Sequence, residues 1–262
     1  MGMVSVDRRN GFAVISINRP PVNAMSLELW SDLLDALEEV EGDESFRGAI
    51  FASGLKKNVF TAGIDLRELT REKTDEERLT KFWVTLTTFL AKVYRSRLFT
   101  IAAVKGQCPA GGCALALCCD YRILTSDGSI GLNETRIGIP VPTNWARLFC
   151  EIAGKGKGES LLLTGEMLRA DRARELGLVH DIVSTQEGGC VLSRAQDVMS
   201  KILQTSYGIG IGGELTKSAL RQSFSLRWES EAYDEARRTW EITGDPTVRK
   251  TIQAYAQKLS KM

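Results

Sequence analysis

The chain has 262 residues, 43% of them hydrophobic and 26% charged, and its 34 basic and 33 acidic side chains leave a net charge of +1. That is enough chain for one large core, or one core plus a small appended piece, in an ordinary globular protein. So even a balance carries no electrostatic footprint for nucleic acid or an anionic membrane, and no apolar run approaches the roughly 20 residues that span a bilayer.

Val4 to Asp7 and Phe12 to Ile17 flank Asn10-Gly11, a strong turn signal between β-rich runs, and predict a hairpin. Arg19-Pro20-Pro21-Val22-Asn23 stops the second strand. From Ser26 to Val40 the apolar residues Trp30, Leu33, Leu34, Leu37 and Val40 recur at helical spacing, which predicts an amphipathic helix covering a sheet. Gly48 to Ser53 reads as a compact strand. After Lys56-Lys57 comes FTAGIDL, where Phe60 anchors a turn and Gly63 permits a backbone twist that exposes the N–H of Ile64. A plain strand-to-helix turn is the competing reading of that segment. Thr74-Asp75-Glu76-Glu77 has the form of a capping box and opens a helix to about Tyr94.

The densest stretch runs from Thr100 to Glu134. An apolar strand, Ile101 to Val104, breaks at Gly106 before Pro109-Ala110-Gly111-Gly112, and the following run, Cys113 to Cys119, is apolar on every side. A helix beginning near Gly111 is therefore expected to be buried all round, with free backbone N–H groups and a partial positive charge at its start. Such a start holds an oxyanion. After a second strand at Tyr121 to Leu124 comes Gly131-Leu132-Asn133-Glu134, a carboxylate in a mostly uncharged segment. Glu134 is either an exposed loop acid or, if it converges with those donors, a base able to remove a proton next to a carbonyl.

Four of the six cysteines, Cys108, Cys113, Cys118 and Cys119, crowd into this apolar stretch, and the other two are Cys150 and Cys190. The pattern predicts reduced, buried thiols in an intracellular compartment; the five-residue spacing matches no metal or iron-sulfur pattern, so no metal site is expected. The sole histidine, His180, is expected to end a short strand. With one histidine, Ser-His, Cys-His and His-metal chemistry become unpromising as a group.

Beyond Glu134, Ile139-Pro140-Val141-Pro142 forbids helix, and helices resume near Trp145 and Glu159. Gly154-Lys155-Gly156-Lys157-Gly158 lacks phosphate-loop spacing and reads as a flexible helix connection. Asp171 to Leu176 and a strand from Val179 to Val183 complete an α/β portion. From about Gly188 the signals are helical; Gly208 to Gly213 lacks the preceding strand of a dinucleotide loop and reads as an interhelical hinge. Asp245-Pro246 places Asp at the N-cap and Pro at the first position of the last helix. The N-terminus is neither a signal peptide nor an Arg- and Ser-rich transit helix, and Ser260-Lys261-Met262 differs by one residue from the peroxisomal Ser-Lys-Leu address, a chance helical tail being the alternative.

FTAGIDL, GQCPAGGCALALCCDYRI and IGLNETRIGIP, in this order and spacing, resemble the crotonase (enoyl-CoA hydratase/isomerase) superfamily over essentially the whole chain. The resemblance implies an α/β fold with a repeated ββα core over residues 1–187 and a helical C-terminal trimerisation region over 188–262. It implies an acyl-CoA thioester substrate whose oxygen lies between the N–H groups of Ile64 and Gly111, with Ala62, Gly63, Ile64, Asp65 and Leu66 lining the thioester and adenine side. No cofactor beyond the CoA of the substrate is implied. Hydratases of this family carry a second glutamate where this chain has Ala114, and dienoyl-CoA isomerases carry acids there and at the place of Pro142. With Glu134 alone and Asn133 beside it, the pattern is similar to the mitochondrial-type Δ3,Δ2-enoyl-CoA isomerases. That likeness implies one glutamate shuttling a proton, a homotrimer and a mitochondrial matrix location, with a peroxisome-like organelle as the alternative. The apolar setting of Glu134 is expected to raise its pKa modestly, and a catalytically weak acyl-CoA-binding member or a low-activity enoyl-CoA hydratase are the competing functions.

Overall fold

The computed structural model describes residues 2–185, 190–204 and 210–260. Nine strands are present among them: β1 (Val4–Arg9), β2 (Phe12–Ile17), β3 (Gly48–Ser53), β4 (Phe99–Val104), β5 (Gln107–Pro109), β6 (Tyr121–Thr125), β7 (Ser129–Gly131), β8 (Leu168–Arg169) and β9 (Asp181–Val183). The helices are α1 (Leu27–Gly42), α2 (Glu76–Arg95), α3 (Gly111–Cys118), α4 (Thr143–Ala153), α5 (Lys155–Thr164), α6 (Ala170–Glu175), α7 (Val191–Gln204), α8 (Ile211–Ser230), α9 (Ala232–Gly244) and α10 (Pro246–Ser260). Of two 3-10 turns, Leu66–Leu69 follows the Gly63 turn and Glu134–Ile137 begins at the carboxylate that sequence singled out.

β1 and β2 form the expected antiparallel hairpin, and β2, β3, β4, β6 and β9 continue it as a parallel sheet in that order. Parallel strands are buried on both faces, so their side chains divide by alternation. Ala13, Ile15, Ile17, Ala49, Phe51, Ala102 and Val104 join the large core beneath α1, α2 and α3. Phe12, Val14, Ile50, Ala52, Ile101 and Ala103 face the other way, onto Val191, Ala195, Met199 and Leu203 of α7. The boundary expected between residues 187 and 188 falls outside the described residues, and the first helix beyond it packs on the sheet.

Several local expectations are corrected. The α2 N-cap is Asp75, whose carboxylate accepts the Arg78 backbone N–H at 2.8 Å, while Thr74 Oγ1 lies 3.3 Å from the Asp75 carbonyl. An ionised cap suits the positive end of a helix better than a hydroxyl. Of the Gly154 to Gly158 run, only Gly154 turns the chain; Lys155 onward is the first turn of α5, where a side chain at Gly158 would collide with Cys150. β9 begins at Asp181, so His180 precedes the strand instead of ending it; its Nδ1 accepts the Arg122 N–H at 3.1 Å and its ring stacks on Tyr121. In the second glycine run, Gly208 and Ile209 lie outside the described residues and Gly212 and Gly213 open α8.

Candidate active site

The small sheet β5-β7-β8 aligns the segments that matter. β5 and β7 run parallel with Pro109 opposite Gly131, so the turn into α3 and the segment leading to Glu134 leave the sheet side by side. The Ala110 N–H donates to the Gly131 carbonyl at 2.9 Å and fastens the two together. Isolated parallel bridges, Val59 with Gln107 and Met25 with Ile64, bring the third segment alongside.

At Ile64 the ladder to Met25 is made by its neighbours: Gly63 accepts from Met25 at 2.9 Å and Asp65 donates to it at 3.0 Å. The N–H of Ile64 therefore points the other way, and among the described residues it has no acceptor. The N–H of Gly111, at the first position of α3, has none either. The two turns touch. Gly63 has φ +83°, and a side chain there would press on Pro109 and Ala110; a Cβ at Gly111 would lie 3.4 Å from the Ile64 side chain. Ala110 itself holds φ 49° and ψ −121°, a conformation an L-residue adopts only under constraint from its surroundings. All eight residues of α3 are buried.

Glu134 is 2% exposed, and neither carboxylate oxygen has a hydrogen-bond partner among the described residues. Burial pushes its pKa from 4.5 up to about 8. That is more than the modest rise expected from sequence, because the lost hydration outweighs what the backbone N–H of Glu134 gives back. Asn133, at the N-cap of the 3-10 turn, offers its backbone carbonyl to Arg136 and makes no side-chain cap bond.

Two cavities meet at Ile64, Glu134 and Ile139. One, of about 250 Å3, is lined by Ala62, Asp65, Leu66, Ala110, Asn133 and Tyr255 of α10, among others. The second, of about 220 Å3, lies between Trp83, the loop 139–143 and the α9 residues Thr239, Ile242 and Thr243. Gly63 and Gly111 shape this junction from behind without lining either cavity. Against the upward push of burial, hydrogen bonds from Arg67 and Arg19 hold the Asp65 carboxyl at about 2, and Asp65 also caps the turn at Leu66. Arg67 is left at the mouth of the first cavity with its side chain 67% exposed. Ala114, buried in α3, and Pro142, ahead of α4, bring no second acid to Glu134.

Sequence reasoning missed Ala110, Trp83, Tyr255 and the α9 wall. A left-handed alanine has no composition signal, and the rest reach the site only through packing between segments distant in the chain.

The profile of the enoyl-CoA hydratase/isomerase family matches residues 7–261. The chain belongs to that family. Among relatives of this family, human mitochondrial enoyl-CoA delta isomerase 1 is 32% identical over 262 residues, 99% of this chain and 83% of that protein. A short-chain-enoyl-CoA hydratase of Clostridium acetobutylicum is 28% identical over 239 residues, 88% of each chain. The crystal structure of human mitochondrial delta3-delta2-enoyl-CoA isomerase superposes with a TM-score of 0.91 at 30% identity, covering 99% of this chain and 98% of that one. The α/β architecture is thus that of the crotonase fold, and enoyl-CoA hydratase/isomerase chemistry comes with the family.

Proposed function

We propose that this member of the family is a Δ3,Δ2-enoyl-CoA isomerase, converting 3-enoyl-CoA to 2-trans-enoyl-CoA in the β-oxidation of unsaturated fatty acids. The observation that carries this reading is a single unpartnered carboxylate, Glu134, set where two cavities and two free N–H groups meet, with alanine and proline where further acids would stand. The thioester oxygen accepts from Ile64 and Gly111. Glu134 takes a proton from C2, the resulting dienolate is held by the same two donors, and the protonated carboxyl returns the proton at C4. One preorganised donor of this kind contributes about 2.7 to 4 kcal/mol to lowering the barrier, and general acid-base help about 100- to 10,000-fold. Adding water calls for a second group to orient it, and the positions of Ala114 and Pro142 supply none; Glu235, which lines the Trp83 cavity with Glu134, is turned to the Thr143 backbone.

The CoA arm runs along Ala62, Asp65, Leu66 and Asn133, with the exposed side of the Asp65-paired Arg67 guanidinium turned to a phosphate, while the acyl chain enters the cavity beside Trp83. The reaction needs no cofactor beyond the CoA of its substrate. A homotrimer and a mitochondrial matrix location follow from the family resemblance and from the names of the mitochondrial relatives. Conjugated thioester formed from 3-hexenoyl-CoA is read by absorbance: wild type produces it, and Glu134→Gln, folded as wild type, loses at least about 100-fold in rate. An undiminished rate in Glu134→Gln removes the proposal, and faster hydration of crotonyl-CoA than isomerisation makes the chain a hydratase.

A further inference from the structure

The two walls of the Trp83 cavity come from segments far apart in the chain, the loop 139–142 that runs into α4 and the face of α9 bearing Thr239, Ile242 and Thr243. α4 starts behind Pro142, which makes no side-chain cap, so the first turn of α4 must find partners elsewhere. It finds them on α9. Asn144, 2% exposed, donates through Nδ2 to Glu231 Oε2 at 2.9 Å, and one turn further along α9 the Glu235 carboxyl faces the Thr143 backbone. Glu231 makes no cap bond to the first turn of its own helix, so its carboxylate serves α4. A negative group at the positive end of α4 is favourable in its own right.

We propose that Glu231, through Asn144, is a positioning residue that sets the gap between the two cavity walls and thereby selects for longer acyl chains; this rests on the acyl-CoA reading above. The carbons nearest the thioester are fixed by Ile64, Gly111 and Glu134, none of which takes part in the clamp. Carbons farther along the chain lie between Ile139, Val141 and Ile242, and these are the contacts that loosen when the walls part. Each well-buried methylene contributes roughly a factor of four in binding, so losing about two methylenes' worth of contact costs more than tenfold on a long chain.

Titration calorimetry with hexanoyl-CoA and dodecanoyl-CoA, which need no turnover, tests the clamp independently of isomerase activity. In Glu231→Ala the preference for dodecanoyl over hexanoyl falls about tenfold. Glu231→Gln, whose amide oxygen accepts the same Asn144 bond, restores most of it. Asn144→Leu, which removes the bond from the other side with an apolar group of similar size, carries the test if Glu231→Ala fails to fold. An unchanged preference in the folded variant, or Glu231→Gln no better than Glu231→Ala, overturns the clamp alone. A wild-type protein that binds neither thioester overturns the acyl-CoA reading and the clamp with it.

Discussion

With both carboxylate oxygens out of water and without a donor, Glu134 holds its proton far more tightly in the folded chain than in the unfolded one. A carboxyl whose folded pKa lies above its free value of 4.5 contributes stability that is complete below pH 4.5 and lost as pH rises through about 8. Each unit between the two values is worth about 1.4 kcal/mol. Glu134→Gln does not titrate, so in thermal melts it outlasts the wild type at pH 8 and the gap narrows towards pH 4.5. A gap that is constant with pH would show the carboxyl to be hydrated. In the proposed isomerisation the rate has the opposite sign: the base would be ionised above its pKa, so kcat/KM for 3-hexenoyl-CoA is expected to climb to a plateau through about pH 8. That Glu134 was chemically placed could be argued from its uncharged neighbours. The size of its pKa shift was not legible, because it depends on how deeply the carboxyl is buried and on no side chain approaching it, and sequence does not reveal what fails to approach a residue.

Among the elements, those with a strong period were readable: the β1-β2 hairpin, α1 and the all-apolar α3. What was not readable is which helix stands over the site, since Trp83 meets α9 only by tertiary packing. α8 is seated by one side chain in particular. Asp120, 10% exposed at its side chain, accepts from Thr100 backbone and hydroxyl at 2.8 and 3.0 Å and from Lys217 and Arg221 of α8 at 2.7 Å each. Lys217, itself mostly buried, has its pKa lowered by desolvation in spite of this partner. Removing the carboxylate strands two cations against the sheet, so Asp120→Ala lowers stability by about 3 kcal/mol, at the low end for a broken buried pair. Urea unfolding measures this, and a loss below about 0.5 kcal/mol would place the pair with ordinary surface bridges.

On the scale of the whole molecule, α8 packs on α2 and turns the opposite face outward, where Ile211, Leu215 and Leu226 recur at helical spacing and are 76%, 62% and 50% exposed. Interrupted only by Ser218 and Gln222, these exposed apolar side chains are the kind of surface that meets another chain. If the proposed homotrimer uses it, Leu215→Glu with Leu226→Glu reduces the assembly to single chains in sedimentation while the far-UV dichroism stays native; a wild type that sediments as one chain removes the trimer. The α/β class of the fold was legible through family resemblance, yet this stripe was not, because α8 reads as an ordinary helix of mixed composition. The solitude of Glu134 has one more consequence at this scale. Among the described residues no side chain is hydrogen-bonded to that carboxyl, so in the proposed reaction an atom lifted from one carbon of a bound chain is set down on another carbon of the same chain. Product formed in heavy water would therefore keep the substrate's own light isotope.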